Sequence, residues 1–159
     1  MDFTVREGQA KDMAQVFSLI NELAVFENED NAVDLVVDDL VKDGFGTDKL
    51  FHCFVGEAEE KIVGMALVYP RYSTWKGPVV HLEDLIVTKR MRGSGLGSAL
   101  LAEVVKYANQ LGVKRISWEV LDWNEPAIEF YESKGAKVMR DWDVVHLDEK
   151  GIREFLKNL

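Results

Sequence analysis

Apolar residues near the start of the chain change their period. Phe3 and Val5 alternate with polar neighbours, the repeat of a short strand. Met13, Val16, Phe17, Ile20, Leu23 and Ala24 then recur at helical spacing, predicting a helix from about residue 12 to 27 with Asp12 as its cap. Leu35, Val36, Asp39 and Leu40 predict a second helix, halted by Asp43-Gly44-Phe45-Gly46. Strand patterns follow at 51–58 and 61–72, parted by the charged turn Glu59-Glu60-Lys61 as in a hairpin. A third apolar run, Val79 to Val87, follows the loop Thr74-Trp75-Lys76-Gly77-Pro78.

The chain then reads Arg92-Gly93-Ser94-Gly95-Leu96-Gly97 and enters a helical stripe of Leu96, Leu100, Leu101, Val104, Val105, Ala108 and Leu111, closed by Gly112. A strand over 114–121, a helix over 124–134 stopped by Gly135, a strand near 142–147 and a helix over 149–158 complete the order. Strands and helices mixed in this way predict a layered α/β (α+β) fold. With 159 residues, three prolines, no Ser/Gly linker and no repeat, the expectation is one domain over 1–159.

Charge narrows the range of partners. Against 19 Lys+Arg stand 28 Asp+Glu, a net charge of −9 that opposes binding to nucleic acid. Eight of the nine excess negative charges fall in residues 22–48, which hold nine carboxylates and only Lys42 as a base. Such a run is either a solvated face or a field that gathers a cationic ligand. The one cysteine, Cys53, lies in the alternation Phe51-Cys53-Val55 and reads as core. It excludes a zinc site built from several thiolates, and no metal is expected. No run of about 18 apolar residues spans a bilayer, and Met1 to Arg6 lack the pattern of a signal peptide. A cytoplasmic protein that binds no membrane is the expectation.

A strand leading through a glycine-rich turn into a helix presents backbone N–H groups and a positive helix end to whatever lies above it, an anion site. Gly93, Gly95 and Gly97 permit close approach or positive φ, and Arg90 and Arg92 add cationic reach. The phosphate loop of nucleotide triphosphatases needs Lys-Ser/Thr after its last glycine, whereas Ser98-Ala99 follows Gly97. A dinucleotide fingerprint belongs at the first strand and has another spacing.

The pattern Arg-x-x-Gly-x-Gly, with its apolar helix, resembles the acetyl-CoA loop of the GCN5-related N-acetyltransferases (GNAT). Nearly the whole chain is similar to the diamine and thialysine acetyltransferase branch, through Phe51-His52-Cys53, His81-Leu82-Glu83-Asp84, the loop, and Trp123-Asn124-Glu125-Pro126-Ala127-Ile128-Glu129-Phe130-Tyr131. The resemblance implies a mostly antiparallel sheet flanked by helices. It also implies transfer of an acetyl group from acetyl-CoA to a small cationic amine such as a polyamine, diamine or lysine-like amino acid.

Acetyl transfer to an amine requires a neutral nitrogen, and with a pKa of about 10.4 only about one alkylamine in 2,500 is neutral at pH 7. Glu83 and Asp84 interrupt an apolar strand, and since successive strand residues face opposite ways, only one should face a given cleft. The alternative is that both are satisfied core carboxylates or salt-bridge partners. The resemblance makes Glu83 the proton acceptor and leaves Asp84 structural, with His81 a polar strand residue. It gives Leu85, Ile86 and Val87 main-chain contacts to the pantetheine arm, and gives Arg92, Gly93, Ser94, Gly95, Leu96, Gly97 and Ser98 contacts to the pyrophosphate. Asn124 and Pro126 suit a helix start by pattern and lie on the acetyl-CoA side by resemblance. Tyr131, by pattern a core tyrosine, becomes the acid that protonates the leaving sulfur.

Phe26, Glu27, Trp118 and Glu119 correspond to acceptor-side positions, although polyamine-acting relatives commonly carry Tyr where this chain has Phe26. Trp75 lines the same cleft or packs under its loop. The strand and helix over 142–158 resemble the part with which the branch builds a homodimer. Another amine, or acyl-CoA binding without catalysis, are the alternatives.

Overall fold

The computed structural model describes residues 2–159. By contact the chain divides into two compact units, one ending at Glu119 and one starting at Val120. In the first, β1 (Thr4–Glu7), β2 (His52–Ala58), β3 (Lys61–Ser73), β4 (Gly77–Val87) and β5 (Ile116–Ser117) form a sheet in sequence order. The first four strands are antiparallel and β5 joins β4 in parallel. This is the mixed, mostly antiparallel sheet that was expected.

Helices α1 (Met13–Phe26) and α2 (Val37–Phe45) cover one face. Met13, Val16 and Leu19 of α1 and Leu40 of α2 pack with Cys53, Val55, Met65, Leu67 and Ile86, all buried. The helical and two-residue periods of the sequence meet in this cluster. The α3 helix (Leu96–Leu111) covers the other face, with Leu100, Leu101, Val104 and Ala108 buried. Its first residue, Leu96, occupies a slot made by two paired glycines, Gly56 and Gly64. A Cβ on Gly56 would lie 2.5 Å from Leu96 Cδ1, and one on Gly64 would lie 3.0 Å from Leu96 Cδ2. Two missing side chains therefore seat the helix whose start carries the glycine loop.

Several boundaries depart from the pattern. Asp12 makes no side-chain cap on α1. Its buried carboxylate accepts from Gln9 N at 2.8 Å and from Arg6 Nη1 at 2.7 Å, and Arg6 also pairs with Glu57 at 2.8 Å. The α2 helix does end within the run expected to halt it, at Phe45 with Gly46 as its C-cap, while Gly44 inside it is a packing glycine: a Cβ there would meet the Phe51 ring at 2.4 Å. Glu59 and Glu60 both take positive φ in the β2–β3 turn, and Gly77 does so where β4 begins. The strand expected over 114–121 shrinks to Ile116–Ser117.

The second unit holds α4 (Glu125–Ser133) and α5 (Glu149–Lys157). Asp148 caps α5 by accepting from Gly151 N at 2.7 Å. The strand expected near 142–147 does not form: those residues make no ladder, and Trp142, Val144, Val145 and Leu147 are exposed. An apolar, β-branched run becomes a strand only where an edge receives its backbone groups.

Candidate active site

The site begins with an irregularity in β4. Leu82 pairs with Val68 and Asp84 with Leu67, so Glu83 is an extra residue, a β-bulge. Past a bulge the alternation of faces shifts by one. Asp84, opposite Leu67, lies on the face packed by α1, and so does His81, opposite Tyr69. Glu83 turns to the same side, its Oε2 standing 3.6 Å from His81 Nε2. The expectation that only one of the two carboxylates faces a given cleft is therefore corrected, and Asp84 joins the site. Burial, then Glu83, then Glu27 push its carboxyl up to about 6. Glu27, just past the end of α1, is itself raised by burial and by Glu29. Three carboxylates thus converge where acceptor contacts were expected.

Around Glu83 lies a polar group that the sequence reading left aside. His81 is 5% exposed. Its Nδ1 is 2.9 Å from Ser117 Oγ and 3.4 Å from Arg71 Nη1. Burial lowers its basicity, with Arg71 acting in the same direction against Glu83 and Glu119. Burial and Glu83 raise the Tyr69 phenol, whose ring lies 5.1 Å from the imidazole. Glu119, exposed beyond β5, is close enough to act on both Tyr69 and His81, and Trp118 beside it is partly buried.

Among the described residues, β5 pairs with β4 only at Val80 and His81. Leu85, Ile86 and Val87 are bonded to β3 on one side, so their other edge lacks a β5 ladder. An extended ligand with amide groups fits such an edge as an added strand. The edge leads to the glycine loop, where Gly93 (φ 77°) and Gly95 (φ 89°) are left-handed, whereas Gly97 is an ordinary helical residue of α3. Arg92, Gly93, Ser94 and Gly95 are exposed, Gly97 and Ser98 partly so, and Leu96 is the buried anchor. The first-turn amides of α3 face a place suited to an anion.

Helix α1 holds this loop from the side: Glu22 accepts from Thr88 Oγ1 at 2.9 Å and from Lys89 N at 3.0 Å. The Arg92 guanidinium stands 5.1 Å over the ring of Phe26. Phe26, expected beside the acceptor, thus also touches the loop. Trp75 is 77% exposed, which excludes packing beneath its loop.

In the second unit, Asn124 stands at the N-cap of α4 without a side-chain bond, its carbonyl accepting from Ile128 N at 3.0 Å. Pro126 falls in the first turn, as expected. Tyr131 is partly buried, its ring 5.4 Å from Phe130.

The profile of the acetyltransferase (GNAT) family matches residues 13–136. The chain belongs to the GNAT family. It is 33% identical over 161 residues to the thialysine N-epsilon-acetyltransferase of Bos taurus, covering 94% of this chain and 95% of that protein. It is 34% identical over 152 residues to spermidine/spermine N(1)-acetyltransferase-like protein 1 of Homo sapiens, covering 91% of this chain but 22% of that longer protein. An integron cassette protein from the mobile metagenome of V. cholerae superposes with a TM-score of 0.80 over 99% of both chains at 20% identity, a likeness of fold alone.

GNAT acetyltransferases draw on acetyl-CoA, so the chain is an acetyl-CoA-dependent N-acetyltransferase acting on amines. The residues present suit that cosubstrate, with a strand edge for the pantetheine amides and left-handed glycines at a helix start for the pyrophosphate. Tyr69, Arg71 and Ser117 come to the candidate site without a signal in the sequence, because register and not spacing brings them beside His81.

Proposed function

We propose that the chain acetylates a primary amine of a small cationic acceptor, a polyamine, a diamine or a lysine-like amino acid, by direct attack with both substrates bound. The convergence of Glu27, Glu83 and Asp84 on one sheet face carries this reading, since carboxylates brought together against burial and mutual repulsion favour a cationic occupant. The names of the bovine and human relatives, which specify thialysine and spermidine/spermine, support it.

On this reading Leu85, Ile86 and Val87 bind the pantetheine arm through their main chain. Arg92, Gly93, Ser94, Gly95, Leu96, Gly97 and Ser98 hold the pyrophosphate, and Asn124 and Pro126 contribute from the start of α4. Acetyl-CoA, when bound, supplies an acetyl thioester open to attack by a neutral amine. Phe26, Glu27, Trp118 and Glu119 take the acceptor side with Asp84. The Glu83 carboxylate accepts the ammonium proton, through water. As the N–C bond forms and the C–S bond breaks, the Tyr131 hydroxyl would give its proton to the sulfur, and the second proton shed by the acylated nitrogen would return to the tyrosinate through water, leaving a neutral amide. Cys53 supplies no acyl-enzyme route, because burial pushes its thiol up to about 12. Phe26 weighs against specificity for a polyamine, since it lacks the hydroxyl that polyamine-acting relatives commonly place there.

A homodimer belongs to the same proposal. Trp142, Val144, Val145 and Leu147 with Ile152, Phe155 and Leu156 of α5 form an exposed apolar set that a second copy of the chain would cover.

The test is consumption of acetyl-CoA with spermidine, thialysine, lysine and a neutral control peptide. Turnover stimulated by a small cationic amine is expected, and stimulation by the peptide alone would refute the acceptor class. Binding of CoA with no amine-dependent turnover would leave an acyl-CoA binder. With an active amine, Tyr131→Phe should lower kcat by about 100-fold or more while leaving acetyl-CoA affinity nearly unchanged.

A further inference from the structure

His81 is one of only three histidines, and its surroundings define its tautomer. A guanidinium has no acceptor, so the contact of 3.4 Å from Arg71 Nη1 favours His81 Nδ1 as the accepting nitrogen. The Ser117 hydroxyl, 2.9 Å from the same atom, can donate to it as well. In the neutral ring the proton then sits on Nε2, the nitrogen 3.6 Å from Glu83 Oε2. This arrangement also rules against a relay: Nε2 already carries its proton and has no lone pair to take one from Glu83. What it offers the carboxylate is a directed positive dipole, across a gap that a small turn of the exposed Glu83 side chain closes.

We propose that His81 is a positioning residue, a neutral Nε2–H imidazole backed by Arg71 and Ser117 that aims the Glu83 carboxylate at the acceptor. The role rests on Glu83 being the proton acceptor. The groups facing the ring from every side are consistent with it. Glu83 lies on its own strand, Tyr69 and Arg71 on β3, and Ser117 and Glu119 at or just beyond β5. Burial and Arg71 oppose protonation more than Glu83 and Glu119 favour it, which lowers the basicity of the ring from its ordinary value. Were His81 to gain a proton, its Nδ1–H would confront the guanidinium and the contact would be lost.

Two measurements test this. The first needs no turnover: long-range 1H–15N correlation on histidine-labelled protein, with His81→Gln identifying the resonance. The Nε2–H tautomer is expected, with titration below the ordinary 6.5 and moved further down by Glu83→Gln. A Nδ1–H tautomer, or a titration indifferent to Glu83→Gln, overturns the proposal. The second is the pH profile of kcat/KM with the best of the amines above. His81→Phe should move the acid limb to higher pH by about half a unit and lower kcat about tenfold, with acetyl-CoA KM unchanged. His81→Gln, whose amide can replace the Nε2–H, should restore most of both. If Glu83→Gln removes the acid limb while His81→Phe leaves it in place, the positioning role fails and the base survives. If Glu83→Gln leaves the limb intact, the base assignment fails and takes the positioning role with it.

Discussion

Asp84 is the residue at which pattern and structure disagree most. Spacing sends it to the opposite face from Glu83, and the bulge brings it back. Its carboxyl, pushed up to about 6, should make stability depend on pH in a definite direction. A carboxyl whose folded pKa is raised contributes stability below its unfolded value, ordinarily 3.8, and that contribution is lost as pH rises through 6. At pH 8 the ionised group therefore works against the fold of the free protein. Asp84→Asn is expected to stabilise it at pH 8 by on the order of 1–3 kcal/mol, a gain that shrinks as pH falls toward 4. The same change should raise KM for a cationic acceptor about tenfold, the loss of one close opposite charge. Thermal unfolding across pH, with KM at pH 8, reads both. An equal gain at all pH values would mean that Asp84 is not held above its ordinary range.

At the scale of elements, most helices and long strands were legible because each buries one stripe or one face, and burial leaves its period in the sequence. The exceptions share a cause. Within the run that halts α2, Gly46 caps the helix as expected, whereas Gly44 serves packing and leaves its space to Phe51, seven residues on, which the pattern does not show. The bulge in β4, the brevity of β5 and the unformed strand at 142–147 depend on which backbone edge meets which, and periodicity within a segment does not encode that. For the site the same holds. The glycine loop and Glu83 announce themselves locally, whereas Asp84, Tyr69, Arg71 and Ser117 arrive through register. The slot of Gly56 and Gly64 is also invisible to pattern, yet it seats Leu96 and with it the loop. Gly56→Ala should displace the start of α3, costing about 1–3 kcal/mol as overpacking does. Acetyl-CoA KM should rise more than acceptor KM, since the loop moves and the carboxylates do not. Denaturant unfolding with steady-state kinetics decides. A variant that loses stability while keeping acetyl-CoA KM would show that Leu96 is seated independently of the loop.

Over the whole molecule, the charge of −9 ceases to be only an argument against nucleic acid once its location is set beside the sheet. The acidic stretch from 22 to 48 covers the last part of α1, the link to α2 and α2 itself, and Glu27 within it is one of the three carboxylates at the site. Not all of these charges are spare. Glu22 holds Thr88 and Lys89, and Asp39 accepts from Val36 N at 2.9 Å where α2 begins. Asp30, Asp34 and Asp38 are exposed and carry no such duty among the bonds described. If the stretch acts as a field that raises the local concentration of a cationic amine, its effect should fade with salt, since the Debye length is about 8 Å at 0.15 M. Replacing these three with Asn should raise KM for the cationic amine about threefold to tenfold at low ionic strength and flatten its salt dependence. Acetyl-CoA, an anion, should bind as well or slightly better. Equal KM at low salt would reduce the rest of the stretch to a solvated face, and the attraction for a cation would then come from Glu27, Glu83, Asp84 and Glu119 beside the sheet.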